Sequence, residues 1–212
     1  MSLEAIERNY PGESPQKLVV FLHGYGADGN DLISLAPYFE TALKKADFVS
    51  PHAPFPCDES PFGRQWFSLL NRDPSVLQQG LENALPFLND FLDKALASRQ
   101  LSDSDLCLIG FSQGTMMALS CALQRPKACA AVLGYSGAFL SPQLEPLSKP
   151  PVLLIHGTAD PVVPFKAMAK AHLDLQKLGL TVETTERPGL QHGIDEEGLN
   201  LGASFLKKCF DR

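Results

Sequence analysis

The stretch D-L-C-L-I-G-F-S-Q-G-T-M-M-A-L-S-C-A-L-Q, Asp105 to Gln124, decides how the rest of the chain is read. Its first five residues, Asp105 to Ile109, form a short apolar run of the kind that makes a buried strand. Its last ten, Thr115 to Gln124, are strong helix formers with no breaker before Pro126. Between them stands Gly110-Phe111-Ser112-Gln113-Gly114. A G-x-S-x-G sequence between a strand and a helix is the pattern of a nucleophile elbow, a turn so sharp that it holds its serine in strained backbone geometry. Small residues are needed two positions to either side, because larger side chains there would strike the neighbouring strand and helix.

A serine hydroxyl is a weak nucleophile until a base takes its proton and a third group orients that base. In this arrangement the partners follow in the order Ser, Asp or Glu, His, at the ends of later strands. Downstream, Val152 to His156 is a second apolar run, and Asp160 lies in the loop behind it. A helical stretch follows from Phe165 to Leu178, with Gly179 as its stop. Thr181 to Glu186 then alternates with strand period, and the loop after it, Pro188 to Gly193, carries His192. Ser112, Asp160 and His192 are therefore the expected nucleophile, acid and base.

Other residues compete for these roles. Asp195 comes after His192 and reads as the N-cap of the last helix. His156 ends its strand too early to act as base, His172 sits in a charged helix, and His52 in a Pro-rich loop. All three are expected to be structural.

Upstream, Lys17 to Leu22 reads as a strand, followed by His23-Gly24-Tyr25-Gly26-Ala27-Asp28-Gly29. A glycine-rich loop at this point lets main-chain N–H groups approach a tetrahedral oxyanion. The expected donors are the N–H groups of Leu22 and of Gln113, the latter at the positive end of the elbow helix. His23 is expected to position this loop, together with Gly24, through a side-chain hydrogen bond. The same loop spaces its glycines as G-x-G-x-x-G. Dinucleotide binding is disfavoured, because Asn30-Asp31 read as the cap of a helix from Leu32 to Leu43, which leaves the third glycine outside it.

Strands alternating with helical segments argue for a mostly parallel sheet with helices on both faces, in one domain over residues 1–212. A helix is expected from Ser75 to Ser98, entered through Asp73-Pro74 and kinked at Pro86. The Pro-rich connection from Pro51 to Asn71 reads as irregular, and Ser136 to Pro151 is too short to build a helical lid. With no cap domain the site should be an open cleft, which suits a large or variable leaving group.

A formal net charge of -6 and a pI near 5.3, without a Lys/Arg cluster, argue against a nucleic-acid partner. The five cysteines, Cys57, Cys107, Cys121, Cys129 and Cys209, lack metal-ligand spacing and read as reduced thiols of an intracellular protein. Met1 to Asn9 has no apolar core, and no run approaches the length of a membrane span. The expectation is a cytoplasmic protein with no integral membrane segment.

Three stretches together resemble the phospholipase/carboxylesterase family, which includes bacterial carboxylesterases and the acyl-protein thioesterases. They are F-L-H-G-Y-G-A-D-G-N-D-L (Phe21 to Leu32), G-F-S-Q-G (Gly110 to Gly114) and H-G-T-A-D-P-V-V-P (His156 to Pro164). The resemblance spans nearly the whole chain. It implies an α/β-hydrolase fold with the triad Ser112, Asp160, His192 and oxyanion donors at Leu22 and Gln113. Arg64-Gln65-Trp66-Phe67 matches a family segment with an aromatic residue near the site mouth, which makes Trp66 a substrate-pocket candidate. The chain has Thr115 where the thioesterases carry a further glycine. It has Tyr25 to Asp28 where they have a Gly-Asp-Thr-Gly run, and Gln191 where a small residue is usual. These departures favour the carboxylesterase branch.

The expected activity is hydrolysis of a small-molecule ester or acyl substrate through an acyl-enzyme, with no metal and no organic cofactor. Thioester, amide and lactone substrates are alternatives, since pocket shape and leaving-group protonation choose the bond. A non-catalytic binding module on the same fold is the remaining reading; it would be expected to carry a broken triad.

Overall fold

The computed structural model describes residues 3–12, 14–141 and 143–211. Met1 and Ser2, part of the amino-terminal segment read above, lie outside them, as does Pro142 of the Ser136 to Pro151 connection. In chain order the strands are β1 (Ala5–Arg8), β2 (Lys17–Leu22), β3 (Ala46–Pro51), β4 (Phe55–Pro56), β5 (Arg64–Gln65), β6 (Leu106–Phe111), β7 (Ala131–Tyr135), β8 (Val152–Gly157) and β9 (Val182–Arg187). The helices are α1 (Gly29–Ile33), α2 (Ala36–Glu40), α3 (Pro74–Arg99), α4 (Gln113–Gln124), α5 (Lys166–Lys177) and α6 (Glu196–Phe210).

Among the described residues, seven strands form the main sheet in the order β1-β3-β2-β6-β7-β8-β9. Only β1, paired with β3, runs antiparallel. The central strands read as continuous apolar runs because both of their faces are covered. On one face α3, α4 and α5 pack over Leu18, Val20, Leu108 and Val132. On the other, α1, α2 and α6 cover Val19, Phe21, Ile109 and Leu133. Each Val or Leu side chain buried in this way contributes roughly 1.5–3 kcal/mol before conformational entropy is subtracted.

The parallel register aligns the strand ends that carry the functional loops. Leu22 pairs with Gly110, Phe111 with Tyr135, Tyr135 with Ile155, and Gly157 with Arg187. Each strand therefore releases its loop at the same edge of the sheet. In an open α/β sheet that carboxyl edge is where ligands bind.

Several local expectations change. The helix expected over Leu32 to Leu43 is two five-residue helices, α1 and α2. The cap is Asp28, whose side chain accepts from the Asn30 N–H at 2.8 Å, so Gly29 opens the helix after all. Asp105 closes a 3-10 turn with a capping box to Ser102, and strand β6 begins only at Leu106. The Pro51 to Asn71 connection holds the small antiparallel pair β4–β5. Helix α3 runs unbroken through Pro86, which is exposed, so the carbonyl it leaves without a helical partner faces water.

Candidate active site

Ser112 sits at the tip of the β6–α4 turn with φ 53° and ψ -116°, a conformation that a side chain disfavours. Its N–H is held by the Tyr135 carbonyl at 2.9 Å, which ties the turn to β7. The two motif glycines are dictated by contact. A Cβ on Gly110 would come within 2.5 Å of Gly114 and Thr115 backbone, and one on Gly114 would stand 1.8 Å from the Leu22 carbonyl oxygen. The elbow is thus pressed between its own strand and the end of β2.

The three residues expected from the sequence form one hydrogen-bonded chain. The Ser112 hydroxyl donates to His192 Nε2 at 3.0 Å, and His192 Nδ1–H donates to Asp160 Oδ2 at 2.7 Å. Oδ1 of Asp160 accepts the N–H groups of Val162 and Val163 at 2.8 and 2.9 Å. Burial by itself would push the Asp160 carboxyl up; the His192 hydrogen bond and the two main-chain donors outweigh it and hold the group below the usual carboxylate range. It stays an anion facing the imidazole, the state that fixes the tautomer and stabilises an imidazolium.

The loops bearing Asp160 and His192 are stitched together. Thr158 N–H donates to Arg187 O and Ala159 N–H to Leu190 O, both at 3.0 Å. A side chain at Gly157 would collide with the Leu190 carbonyl at 2.2 Å. Arg187 also grips both carboxylate oxygens of Asp195, at 3.1 and 3.0 Å, closing the base of the His192 loop. Asp195 caps α6 through the Gly198 N–H at 2.9 Å, the role expected for it. Ser136, at φ 47°, adds a bond from its hydroxyl to Gly193 O at 3.4 Å. Nothing in the sequence marked Ser136, which acts across 57 positions, or Arg187, which reaches across the His192 loop to Asp195.

Leu22 and Gln113, the expected oxyanion donors, lie on the two segments that meet at Gly114. Gln113 is the first residue of α4, where a helix leaves N–H groups without internal partners. A Cβ on Gly24 would stand 3.2 Å from the Phe111 ring and 3.4 Å from Ser112 Cβ, so the first loop passes directly beside the nucleophile. The fully buried His23 ring accepts the Ala53 N–H on Nε2 at 3.0 Å, which leaves Nδ1–H to donate to the Gly24 carbonyl at 2.8 Å. Burial lowers its pKa to about 4. A neutral His23 therefore braces the loop, as expected, and His52 is structural too, accepting the Gly29 N–H at 3.2 Å.

Trp66 is corrected. It is 0% exposed, and its indole N–H bonds to the His23 carbonyl at 3.0 Å. It lies beneath the first loop and has no surface open to a substrate in this structure. The ring that does meet the site is Phe111, whose centroid is 4.9 Å from that of His192. Beside it an open groove of 200 Å³ is lined by Asp31, Leu32, Ser34, Leu35, Phe111 and Ile194. Phe111 was legible as the variable residue before the serine, but its direction depends on the turn. A larger groove, 710 Å³ around Arg8, Tyr10 and Lys44, lies at the amino end of the parallel strands, away from Ser112.

Thr115, a departure from the thioesterase pattern, is buried, and its hydroxyl lies 2.8 Å from Gly110 O and 2.9 Å from Tyr135 O. Its methyl group faces Gly134 and Gly137, which supply the space that a threonine needs here. His156, expected to be merely structural, reaches the acid: its Nε2–H donates to Val163 O at 2.8 Å and lies 3.2 Å from Asp160 Oδ2.

A sequence profile of the phospholipase/carboxylesterase family matches residues 4–210. This chain belongs to that family. It is 30% identical over 206 residues to a probable carboxylesterase of Oryza sativa subsp. japonica, covering 91% of this chain and 77% of that protein. It is 27% identical over 208 residues to acyl-protein thioesterase 1 of Neurospora crassa, covering 89% and 84%. Among solved structures, esterase PE8 superposes with a TM-score of 0.94 at 39% identity, over 99% of this chain and 100% of that one. The sheet order and the helices on both faces are those of the α/β-hydrolase fold that the family shares. Within this phospholipase/carboxylesterase member, no described helix is long and apolar enough to cross a membrane.

Proposed function

We propose that this protein hydrolyses carboxylic esters through an acyl-enzyme on Ser112, within a single catalytic domain. The observation that carries the reading is His192, which bridges the Ser112 hydroxyl at 3.0 Å and the Asp160 carboxylate at 2.7 Å. His192 takes the Ser112 proton as the oxygen attacks the ester carbonyl. Asp160 keeps the imidazole in the tautomer that accepts on Nε2. The N–H of Gln113, first in α4, and a second N–H from the glycine-rich loop after β2 receive the oxyanion, each worth roughly 3 kcal/mol in the transition state. His192 then gives its proton to the leaving alkoxide, and a water activated by the same imidazole releases the acid. The sequence needs neither a metal nor an organic cofactor.

The groove beside Phe111 would take an apolar part of the substrate. At 200 Å³ it is smaller than the roughly 300–1,000 Å³ of drug-sized sites, which suits a short chain. The partner is thus a small-molecule ester. The buried thiols Cys107, Cys121 and Cys129 fit a reducing cytoplasm.

The test is a p-nitrophenyl ester series from acetate to palmitate, with Ser112→Ala alongside. The expected result is turnover fastest on the short esters and lost in the variant. Absence of turnover on every ester, or activity retained by Ser112→Ala, would overturn the reading.

A further inference from the structure

An oxyanion hole built from two chain segments needs both of its donors held in register, and a displacement of about 1 Å can cost roughly 100-fold in rate. Here the two segments are the first loop, which leaves the end of β2, and the start of α4. Those segments meet at Gly114, where a Cβ would stand 1.8 Å from the Leu22 carbonyl oxygen and 2.8 Å from that of His23. One residue crosses between them. The main-chain N–H of Trp66 donates to Gln113 Oε1 at 2.9 Å, and its indole N–H donates to the carbonyl of His23 at 3.0 Å. The Gln113 amide is gripped a second time, its Nε2–H donating to Phe67 O at 2.7 Å.

We propose that Trp66 is a positioning residue for the oxyanion hole, its two N–H groups tying the nucleophile-elbow segment to the first loop. This rests on the serine-hydrolase reading above. All four partners are closed off from water: Trp66, Gln113 and His23 are each 0% exposed, and Phe67 is 2% exposed. In such a place a hydrogen bond is stiff, and breaking it leaves a buried carbonyl unsatisfied. The arrangement also divides the work of Gln113. Its side chain is spent on the clamp, while its main-chain N–H, at the first position of α4, stays available to an oxyanion. Here one bond holds the Gln113 side chain and the other the His23 carbonyl, on the two segments that flank the hole.

Trp66 is the only tryptophan in the chain. Benzothienylalanine placed at position 66 exchanges the indole N–H for sulfur and keeps the ring, so a single bond is removed. The enzyme is assayed on p-nitrophenyl acetate, its active sites are counted by titration with a p-nitrophenyl organophosphate, and phenylboronic acid is used as a tetrahedral adduct of Ser112. The expected result is a fall in kcat per titrated site of roughly 10- to 100-fold with KM nearly unchanged. The affinity for phenylboronic acid should fall in parallel. Trp66→Phe, the second variant, should show the same split.

A kcat per titrated site equal to that of the parent, or a change in KM alone, would overturn the clamp and leave Trp66 as core filling. Ser112→Ala run in the same assay separates the two failures. If it abolishes turnover while the position-66 variants keep full kcat, only the clamp falls. If it retains turnover, the serine reading falls and the clamp with it.

Discussion

His156 sets its Nε2 3.2 Å from Oδ2 of Asp160, the oxygen that also receives the His192 Nδ1–H at 2.7 Å. The same nitrogen holds the Val163 carbonyl at 2.8 Å, while the Val163 N–H bonds the other carboxylate oxygen at 2.9 Å. His156 therefore fastens the short loop that wraps the acid. Replacing it by Gln should let the carboxylate tilt away from His192 while leaving its charge in place. We expect kcat to fall roughly tenfold with little change in KM. Asp160→Asn should lose about 10⁴-fold, because it stabilises the wrong tautomer. Steady-state kinetics on one short ester compare the two, and equal losses would show that His156 does more than position the acid.

His23 makes stability depend on pH. Its folded pKa, about 4, lies below the unfolded value of 6.5, so between these limits the unfolded chain binds more protons than the native one. Stability from this group is whole above pH 6.5 and is lost as pH falls towards 4. The expected loss between pH 7 and pH 5 is about 2 kcal/mol. Urea unfolding at the two pH values measures it, and His23→Gln should flatten the difference.

Gly114→Ala should be among the most damaging single-methyl changes in the chain. The added carbon would stand 1.8 Å from the Leu22 carbonyl, between two segments that cannot part without breaking the sheet end. A destabilisation of about 3 kcal/mol is expected, at the upper end for overpacking. Denaturant titration provides the value; a loss under about 1 kcal/mol would mean that the elbow and β2 separate easily.

Thr115→Val keeps the shape and removes the hydroxyl shared by Gly110 O and Tyr135 O. The Tyr135 carbonyl still accepts the Ser112 N–H, so what is lost is the hydroxyl's own pair of bonds. The cost should be about 1–2 kcal/mol in unfolding free energy. Thr115→Gly, which restores the residue usual in the thioesterases, should cost more, since it also empties the space beside Gly134 and Gly137.

Much of the fold was legible because its signals are local. Lys17–Leu22 and Val152–Gly157 announce themselves as unbroken apolar runs, and Gly179, at φ 83°, ends α5 where the breaker stood. The order Ser112, Asp160, His192 followed from placing each residue just beyond a strand. Errors fell where local signals were evenly matched. Asp28, Asn30 and Asp31 are all fair caps, and contact with β3 and the first loop settled which one begins α1. The two-residue strands β4 and β5 carry no period at all; they exist because the hairpin docks on Gly26 and Ala27 through bonds to Arg64.

By itself, then, the sequence determined the strands that lead to Ser112, Asp160 and His192, the longer helices, and the sharp turn at Ser112. Hydrogen bonding and apolar periodicity act within a few residues, and those can be read along a chain. Only the tertiary structure decided what those residues touch. Ser112 meets His192 across 80 positions, Asp160 meets His192 across 32, and Trp66 reaches Gln113 across 47 and His23 across 43. Trp66 lies buried beneath the first loop, and His156 stands beside Asp160. Contacts of that separation are set by how the strands stack and where their ends align, a property of the packed sheet that no short stretch of residues contains.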